Sequence, residues 1–506
     1  MVLYESTRSG KEGIVSAEAI KKGISPNGGL YVPQQLENIS LKEITELADK
    51  PYTQRAVSIL KRFLDDFTDG ELAECVEQAY GGNKFSSPDI APVKVLNESL
   101  HILELWHGPT CAFKDMALQI LPHFLTKSMK KTGEKCDIVI LVATSGDTGK
   151  AALEGFADVP GTHIIVFYPE NGVSNVQKYQ MITQTGNNVK VVGVNGNFDD
   201  TQTAVKKIFT DSDLNKKMIE QGLKFSSANS INWGRLVPQI VYYFSAYADM
   251  LRDKRIQPGD KINFVVPTGN FGNILAGFYA KRMGLPVNKL ICASNDNNVL
   301  TDFIRTGCYD KRRKFVKTVS PSMDILISSN LERLLYELTD HDDKKVSDWM
   351  KQLEEKGYYD VGPKLLEKIR QHFWAGWSNQ DETLNTIESV YREYNYLSDT
   401  HTAVGIDVYD KYVITTGDLI PTVVVSTASP FKFNESVCNA LFGKNDTEGK
   451  SEFELLELLS QKSKWPVPAG LLGLDKKEIL HKTVCEKHEI KDVVSRTLAD
   501  FLPAKP

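Results

Sequence analysis

The 506-residue chain has few cysteines, seven in all: Cys75, Cys111, Cys136, Cys292, Cys308, Cys438 and Cys485. They are scattered, odd in number and never spaced C-x-x-C. That excludes a disulfide framework and gives no zinc site, so no metal is expected. Long hydrophobic runs are missing too. No stretch of about 18 apolar residues occurs, and the opening "MVLYESTRSGKEG" has no apolar leader core, so no membrane association is expected. Charge of one sign is scarce: 60 Lys and Arg stand against 65 Asp and Glu, a net of -5. With no basic tract, nucleic acid is not an expected partner. There is no internal repeat and no low-complexity linker. A cytoplasmic protein with reduced thiols is the expectation.

What is present is ordinary globular composition, 41% apolar and 25% charged. The length exceeds what one hydrophobic core fills, so two or three domains are expected. Residues 1–95 read as a mostly helical N-terminal region. Short β-branched runs follow at 101–105, 137–143, 163–169, 188–194, 261–267, 289–294 and 421–427, with helix-length amphipathic stretches between most of them. Strand alternating with helix predicts an α/β fold of parallel sheet covered by helices, over 96–330 and 401–430. Between 331 and 400 the apolar spacing turns helical, as at Val346, Trp349, Met350 and Leu353 or Leu365, Leu366, Ile369 and Phe373. A helical insertion acting as a lid is expected there. Residues 431–506 read as a mixed C-terminal segment.

Three small-residue loops follow strands, and ligands bind at such strand ends. They are "TSGDTGKAA" (Thr144–Ala152), "PTGNFGNILAG" (Pro267–Gly277) and "STASPFKF" (Ser426–Phe433). All three are expected on one edge of one sheet. In the second, Gly269 and Gly272 allow a close backbone approach. The helix that follows supplies free N–H groups, which together make a candidate anion site. The first, taken alone, reads as a plain strand-to-helix turn with Asp147 or Thr148 as its N-cap.

Lys114 stands out within "LELWHGPTCAFKDMALQI" (Leu103–Ile120). It lies at a strand-to-helix junction, ahead of an apolar stripe at Ala117, Ile120, Leu121 and Phe124. Pro122 must kink or end that helix. A lysine held against apolar walls loses its proton more readily and attacks carbonyls. Pyridoxal 5′-phosphate is a carbonyl compound whose phosphate needs a nearby anion nest.

The segment "HGPTCAFKDMALQ" resembles the pyridoxal-lysine segment of the threonine synthase family. "YESTRSG", "GISPNGGLYVP", "ATSGDTGKAA", "NSINWGRLVPQ", "PTGNFGN", "DTHTAVG", "STASPFKF" and "PVPAGLLGL" resemble further blocks of that family, in order along nearly the whole chain. The length and the helical insertion are similar to its longer fungal and bacterial branch. The resemblance implies a fold type II pyridoxal-phosphate enzyme that converts O-phospho-L-homoserine and water to L-threonine and phosphate. It implies that Lys114 holds the cofactor covalently and is the catalytic residue. It also implies that Gly269, Asn270, Phe271, Gly272 and Asn273 hold the cofactor phosphate, and that the Thr427 hydroxyl meets the pyridine nitrogen. Substrate contacts are implied for Thr144, Ser145, Asp147, Thr148, Asn229, Ser230, Asn232 and Arg235.

Asp147 departs from the wider fold type II pattern, where asparagine is common. Three states are open to it: protonated, turned to backbone amides, or taking part in proton handling. Asp115 reads as a helix-start residue. Two alternatives stand beside the synthase reading. One is a related phospholyase that releases a keto acid. The other is a binding protein on the same fold without catalysis. A monomer or weak homodimer is expected.

Overall fold

In the computed structural model, the described residues are 1–9, 13–144 and 146–501. Their two larger sheets share a core. The first sheet has six strands in the order Phe373–Trp377, Val287–Ser294, Ile262–Pro267, Thr422–Ser426, Leu100–Glu104 and Val93–Val95. All neighbours are parallel except the last pair. The second has five parallel strands in the order Thr483–Glu486, Val189–Asn195, Thr162–Pro169, Asp137–Ala143 and Leu223–Ser226.

The strand sequences explain this arrangement. Along a strand, side chains alternate between faces. In Asp137–Ala143, Ile138, Ile140 and Val142 join the central core, while Val139 and Leu141 join a second cluster on the outer face. In Ile262–Pro267, Phe264 and Val266 point to the central core and Val265 to a third cluster. Strands buried on both faces need apolar residues at every position, so they read as unbroken β-branched runs. The helix Trp233–Arg252 belongs to the central core, with every residue from Trp233 to Met250 buried. No described helix is long and apolar enough to cross a membrane.

Register brings the site loops together. Ser426 pairs with Glu104, and Val424 pairs with both Ile102 and Val265. The carboxyl ends of these three strands therefore release the Lys114 turn, the glycine loop and the Thr427 turn side by side. The "TSGDTG" loop leaves Asp137–Ala143, which belongs to the other sheet. The expectation of one shared edge is thus corrected. The loops come from two sheets and meet between them.

Other expectations are also corrected. The N-terminal region carries an antiparallel pair, Tyr4–Ser6 with Tyr31–Pro33, in addition to its helices. The 331–400 segment is not a separate helical layer. Its helix Leu331–Leu338 is buried at every position, and Phe373–Trp377 is an edge strand of the six-stranded sheet. "FWAGW" was hidden because it follows directly on the helix Gly362–His372 and carries aromatics in place of a β-branched run. Pro122 sits in the first turn of Leu121–Lys131, where its missing N–H costs nothing, and the preceding helix ends at Leu118.

Candidate active site

The lysine turn is closed by Asp115. Its carboxylate accepts from the Thr110 backbone N–H and from the Thr110 hydroxyl, both at 2.8 Å. Burial raises its pKa to about 6, against those two hydrogen bonds. Gly108 is required, because a Cβ there would lie 2.5 Å from an Asp115 oxygen. Phe113 N donates to Thr427 O at 2.8 Å, and Ser429 N donates to Cys111 O at 3.0 Å. These bonds lace the Lys114 turn to the Thr427 turn. The Thr427 hydroxyl meets no acceptor or donor among the described residues.

Lys114 Nζ lies 3.4 Å from Asp147 Oδ2, 3.4 Å from Ser322 Oγ and 4.9 Å from the centre of the Phe113 ring. Its pKa is lowered, chiefly by burial, with Lys432 and Arg235 adding to that and Asp147 opposing it. An ammonium taken out of water gives up its proton more easily and becomes a nucleophile.

Asp147 is surrounded by side-chain donors. Oδ1 faces Lys432 Nζ at 3.0 Å and Gln177 Nε2 at 2.8 Å, and Oδ2 faces Lys114 and Ser322 Oγ, the latter at 3.2 Å. Burial alone would raise its pKa. Lys432, Lys114 and the Gln177 hydrogen bond outweigh that and hold it well below the usual carboxylate range. These partners are side-chain donors, not backbone amides, and they favour the ionised carboxylate over the protonated one.

The glycine loop is an unspent row of donors. Thr268 N is taken by Ala293 O, but the N–H groups of Gly269, Asn270, Phe271, Gly272 and Asn273 meet no acceptor among the described residues. Phe271 takes φ +60°, a left-handed conformation unusual outside glycine, and its buried ring packs 5.7 Å from Phe373. Such a residue just ahead of a helix turns successive N–H groups toward one point. Asn273 Oδ1 is held by the Tyr242 and Tyr243 hydroxyls, while its Nδ2 is buried without an acceptor among the described residues. Gly269 is demanded by the protein, since a Cβ would come 2.9 Å from Ser322 O. Gly272 is not, since a Cβ there would find only an ordinary contact at 3.4 Å.

Arg235 is a buried guanidinium in the first turn of Trp233–Arg252. Its only protein acceptor among the described residues is Ala228 O, at 2.8 Å. Burial draws its pKa down to about 10, so it stays cationic at neutral pH.

Comparison with known proteins covers most of the chain. Residues 3–80 match the family model "Threonine synthase N terminus", residues 85–364 "Pyridoxal-phosphate dependent enzyme" and residues 402–493 "Threonine synthase, C-terminal". The threonine synthase of Schizosaccharomyces pombe is 37% identical over 88% of this chain and 90% of its own length. This chain belongs to the threonine synthase family. The crystal structure of PLP-bound threonine synthase from Brucella melitensis superposes with a TM-score of 0.87 at 36% identity, covering all of both chains. Human threonine synthase-like 1 is 43% identical over 91% of this chain, which spans 62% of that protein's length.

The cofactor of this family is pyridoxal 5′-phosphate, and the residues present fit it. A buried lysine with a lowered pKa, a row of free N–H groups ahead of a helix and an unengaged hydroxyl leave neighbouring strand ends. Ser322 touches two of these features, with its Oγ at Lys114 and its carbonyl against Gly269.

The expected substrate residues divide. Arg235, half-buried Thr148 and Ser230, and exposed Asn229 have side chains with capacity to spare. Thr144 and Asn232 are engaged largely within their own loops. The Thr144 hydroxyl accepts from Gly146 N and Gly149 N, and the Asn232 amide caps Trp233–Arg252 and donates to Ile20 O. Both shape their loops. Ser145 lies outside the described residues.

Sequence reasoning missed Lys432, Ser322, Gln177 and the Asp399–His401 pair. His401 Nε2 accepts from Ser322 N at 3.2 Å, and its Nδ1 faces Asp399 at 2.8 Å. Lys432 and His401 lie inside recognised family blocks and could have been flagged as charged residues in apolar surroundings. Ser322 and Gln177 carry no such signal.

Proposed function

We propose that this chain is a threonine synthase, converting O-phospho-L-homoserine and water to L-threonine and phosphate with pyridoxal 5′-phosphate. The observation that carries the reading is the presence of two separate anion receptors at Lys114. One is the free N–H row of Gly269–Asn273, and the other is the unpaired Arg235 guanidinium. A cofactor phosphate occupies only one of them, so the substrate must bring another anionic group.

In this reading Lys114 holds the cofactor, Gly269, Asn270, Phe271, Gly272 and Asn273 bind its phosphate, and Thr427 meets its ring nitrogen. Arg235, with Thr148, Asn229, Ser230 and Ser145, binds the substrate anions. The bound cofactor supplies an electron sink for charge leaving the substrate carbons. Lys114 Nζ then moves the protons. It takes one from Cα and one from Cβ, which lets phosphate leave Cγ, and protons return at Cγ and Cα. Water adds its oxygen at Cβ. Asp147 stays ionised beside Lys114 and orients it. Ser322 closes the site from the 318–325 loop, which Asp324 pins through Thr318, Asn295 and Asn297.

The test is an assay on O-phospho-L-homoserine in deuterated, oxygen-18 water. Threonine should carry solvent hydrogen at Cα and at the methyl carbon, and heavy oxygen in its hydroxyl. The released phosphate should stay light, because the C–O bond breaks. No threonine, or threonine with an unlabelled methyl group, sinks the proposal. A second reading, a phospholyase using the same site, stands beside it, because the 43% identical human relative is named threonine synthase-like 1 and not threonine synthase. It predicts keto acid and phosphate in place of threonine in the same assay.

A further inference from the structure

Lys432 is buried beneath the site, with none of its side chain exposed. It lies within the short Pro430–Phe433 turn that continues from Thr427. A lysine in such a place is costly unless its ammonium is fully used. It is used: Nζ donates to Thr110 O at 2.8 Å and faces Asp147 Oδ1 at 3.0 Å. One ammonium thereby ties together the Thr427 turn, the Lys114 turn and the loop of the opposite sheet.

The carboxylate between the two lysines is shared unequally. Oδ1 is taken by Lys432 and Gln177 at 3.0 and 2.8 Å. Oδ2 is left for Lys114 at a longer 3.4 Å, and Ser322 Oγ competes for it. The other charged groups near Lys114 do not repair this. Arg235 is a further cation. Asp115, whose pKa is raised to about 6, spends both oxygens on Thr110, and burial pushes the Cys111 thiol beside Lys432 up to about 12, leaving it neutral. We propose that Lys432 is a positioning residue: by occupying Asp147 it denies Lys114 a full counter-ion and keeps Lys114 available as an uncharged amine for the cofactor aldehyde. This rests on the proposed function only in taking Lys114 as the cofactor lysine.

The test reads Lys114 directly, without turnover. The full chain, stripped of cofactor and shown to regain its visible band on adding pyridoxal phosphate, is labelled at trace level with acetic anhydride across a pH series. Mass spectrometry then gives the Lys114 profile. Wild-type Lys114 should label at lower pH than an ordinary lysine. In Lys432→Gln the amide can still donate to Thr110 O and Asp147, but the charge is gone and Asp147 falls to Lys114. An opposite charge within a few ångströms favours protonation by about one unit or more, so Lys114 should label roughly tenfold more slowly near neutral pH. Lys432→Arg should restore labelling to within about threefold. Unchanged Lys114 labelling in a folded Lys432→Gln chain overturns the proposal. So does an ordinary lysine profile in the wild type, a result that needs no variant to fold. If the labelling shifts as expected but wild type makes no threonine, the functional reading fails and this inference stands.

Discussion

Replacing Arg235 with methionine should make the cofactor-free protein more stable and the enzyme worse. The two halves have one cause. The guanidinium is buried, donates one hydrogen bond to Ala228 O and has no carboxylate partner among the described residues. Burial draws its pKa from 12.5 to about 10. That difference corresponds to roughly 3 kcal/mol of strain on the charged form. Methionine has similar length and no charge, so the strain disappears. The lost hydrogen bond returns about 1 kcal/mol of it. A net gain of about 1–2 kcal/mol is expected.

The opposite sign is expected for substrate. A guanidinium bound to phosphate makes charge-assisted hydrogen bonds, and losing one costs about 1.5–3 kcal/mol. KM for O-phospho-L-homoserine should therefore rise about 10- to 100-fold. Urea unfolding of the cofactor-free chain and steady-state assays on the holoenzyme measure the two halves. A variant that is less stable and keeps its KM would show that Arg235 is a structural residue, refuting the two-receptor argument.

Two further outcomes are expected. Gly272→Ala should leave the fold intact, since its Cβ meets only Asn330 Nδ2 at 3.4 Å, whereas Gly269→Ala would bring a Cβ 2.9 Å from Ser322 O and distort the loop. If Gly272 is open for the cofactor phosphate, Gly272→Ala should weaken cofactor binding about tenfold or more at unchanged thermal stability, read by fluorescence titration. His341 is tied to Glu337 and Glu5, with Nε2 3.6 Å from Glu337 Oε2 and Nδ1 2.5 Å from Glu5 Oε1, and these contacts raise its pKa. A raised folded-state pKa adds stability below the unfolded value of about 6.5 that fades as pH rises through the folded one. The urea midpoint should thus fall between about pH 6 and about pH 8 by a margin that His341→Leu abolishes.

Much of this was legible in the sequence, for reasons particular to each residue. Central strands such as Ile262–Pro267 and Thr422–Ser426 are buried on both faces, so their composition is forced and easily read. Lys114, the Gly269–Asn273 loop and Thr427 leave the ends of such strands, and placing the strand places the residue. The edge strand Phe373–Trp377 pairs on one side only, with Val287–Ser294, and its composition is less constrained. Ser322 and Gln177 come from a loop and from a helix, Asn175–Ile182, that approach Lys114 only in three dimensions. No local pattern marks a residue whose role depends on a neighbour far away in the chain. Thr144 and Asn232 show the converse. Their motif was recognisable, but the Thr144 hydroxyl oxygen and the Asn232 amide are engaged in capping their own loops.

A carboxylate beside a catalytic lysine would ordinarily hold that lysine protonated and unreactive. Here the groups acting most on Lys114 are one carboxylate and two cations, Lys432 and Arg235. The surplus of positive charge does three things at once. It keeps Asp147 ionised, which fixes the loop from the second sheet against the first. It removes the electrostatic reason for Lys114 to keep its proton. It also makes the pocket complementary to anions, since a buried cation without a partner is stabilised by a negatively charged ligand more than a paired one is. Substituting asparagine at Asp147, the residue common elsewhere in this fold, would leave Lys432 without its counter-ion. The aspartate and the buried lysine thus depend on one another across 285 positions of the sequence.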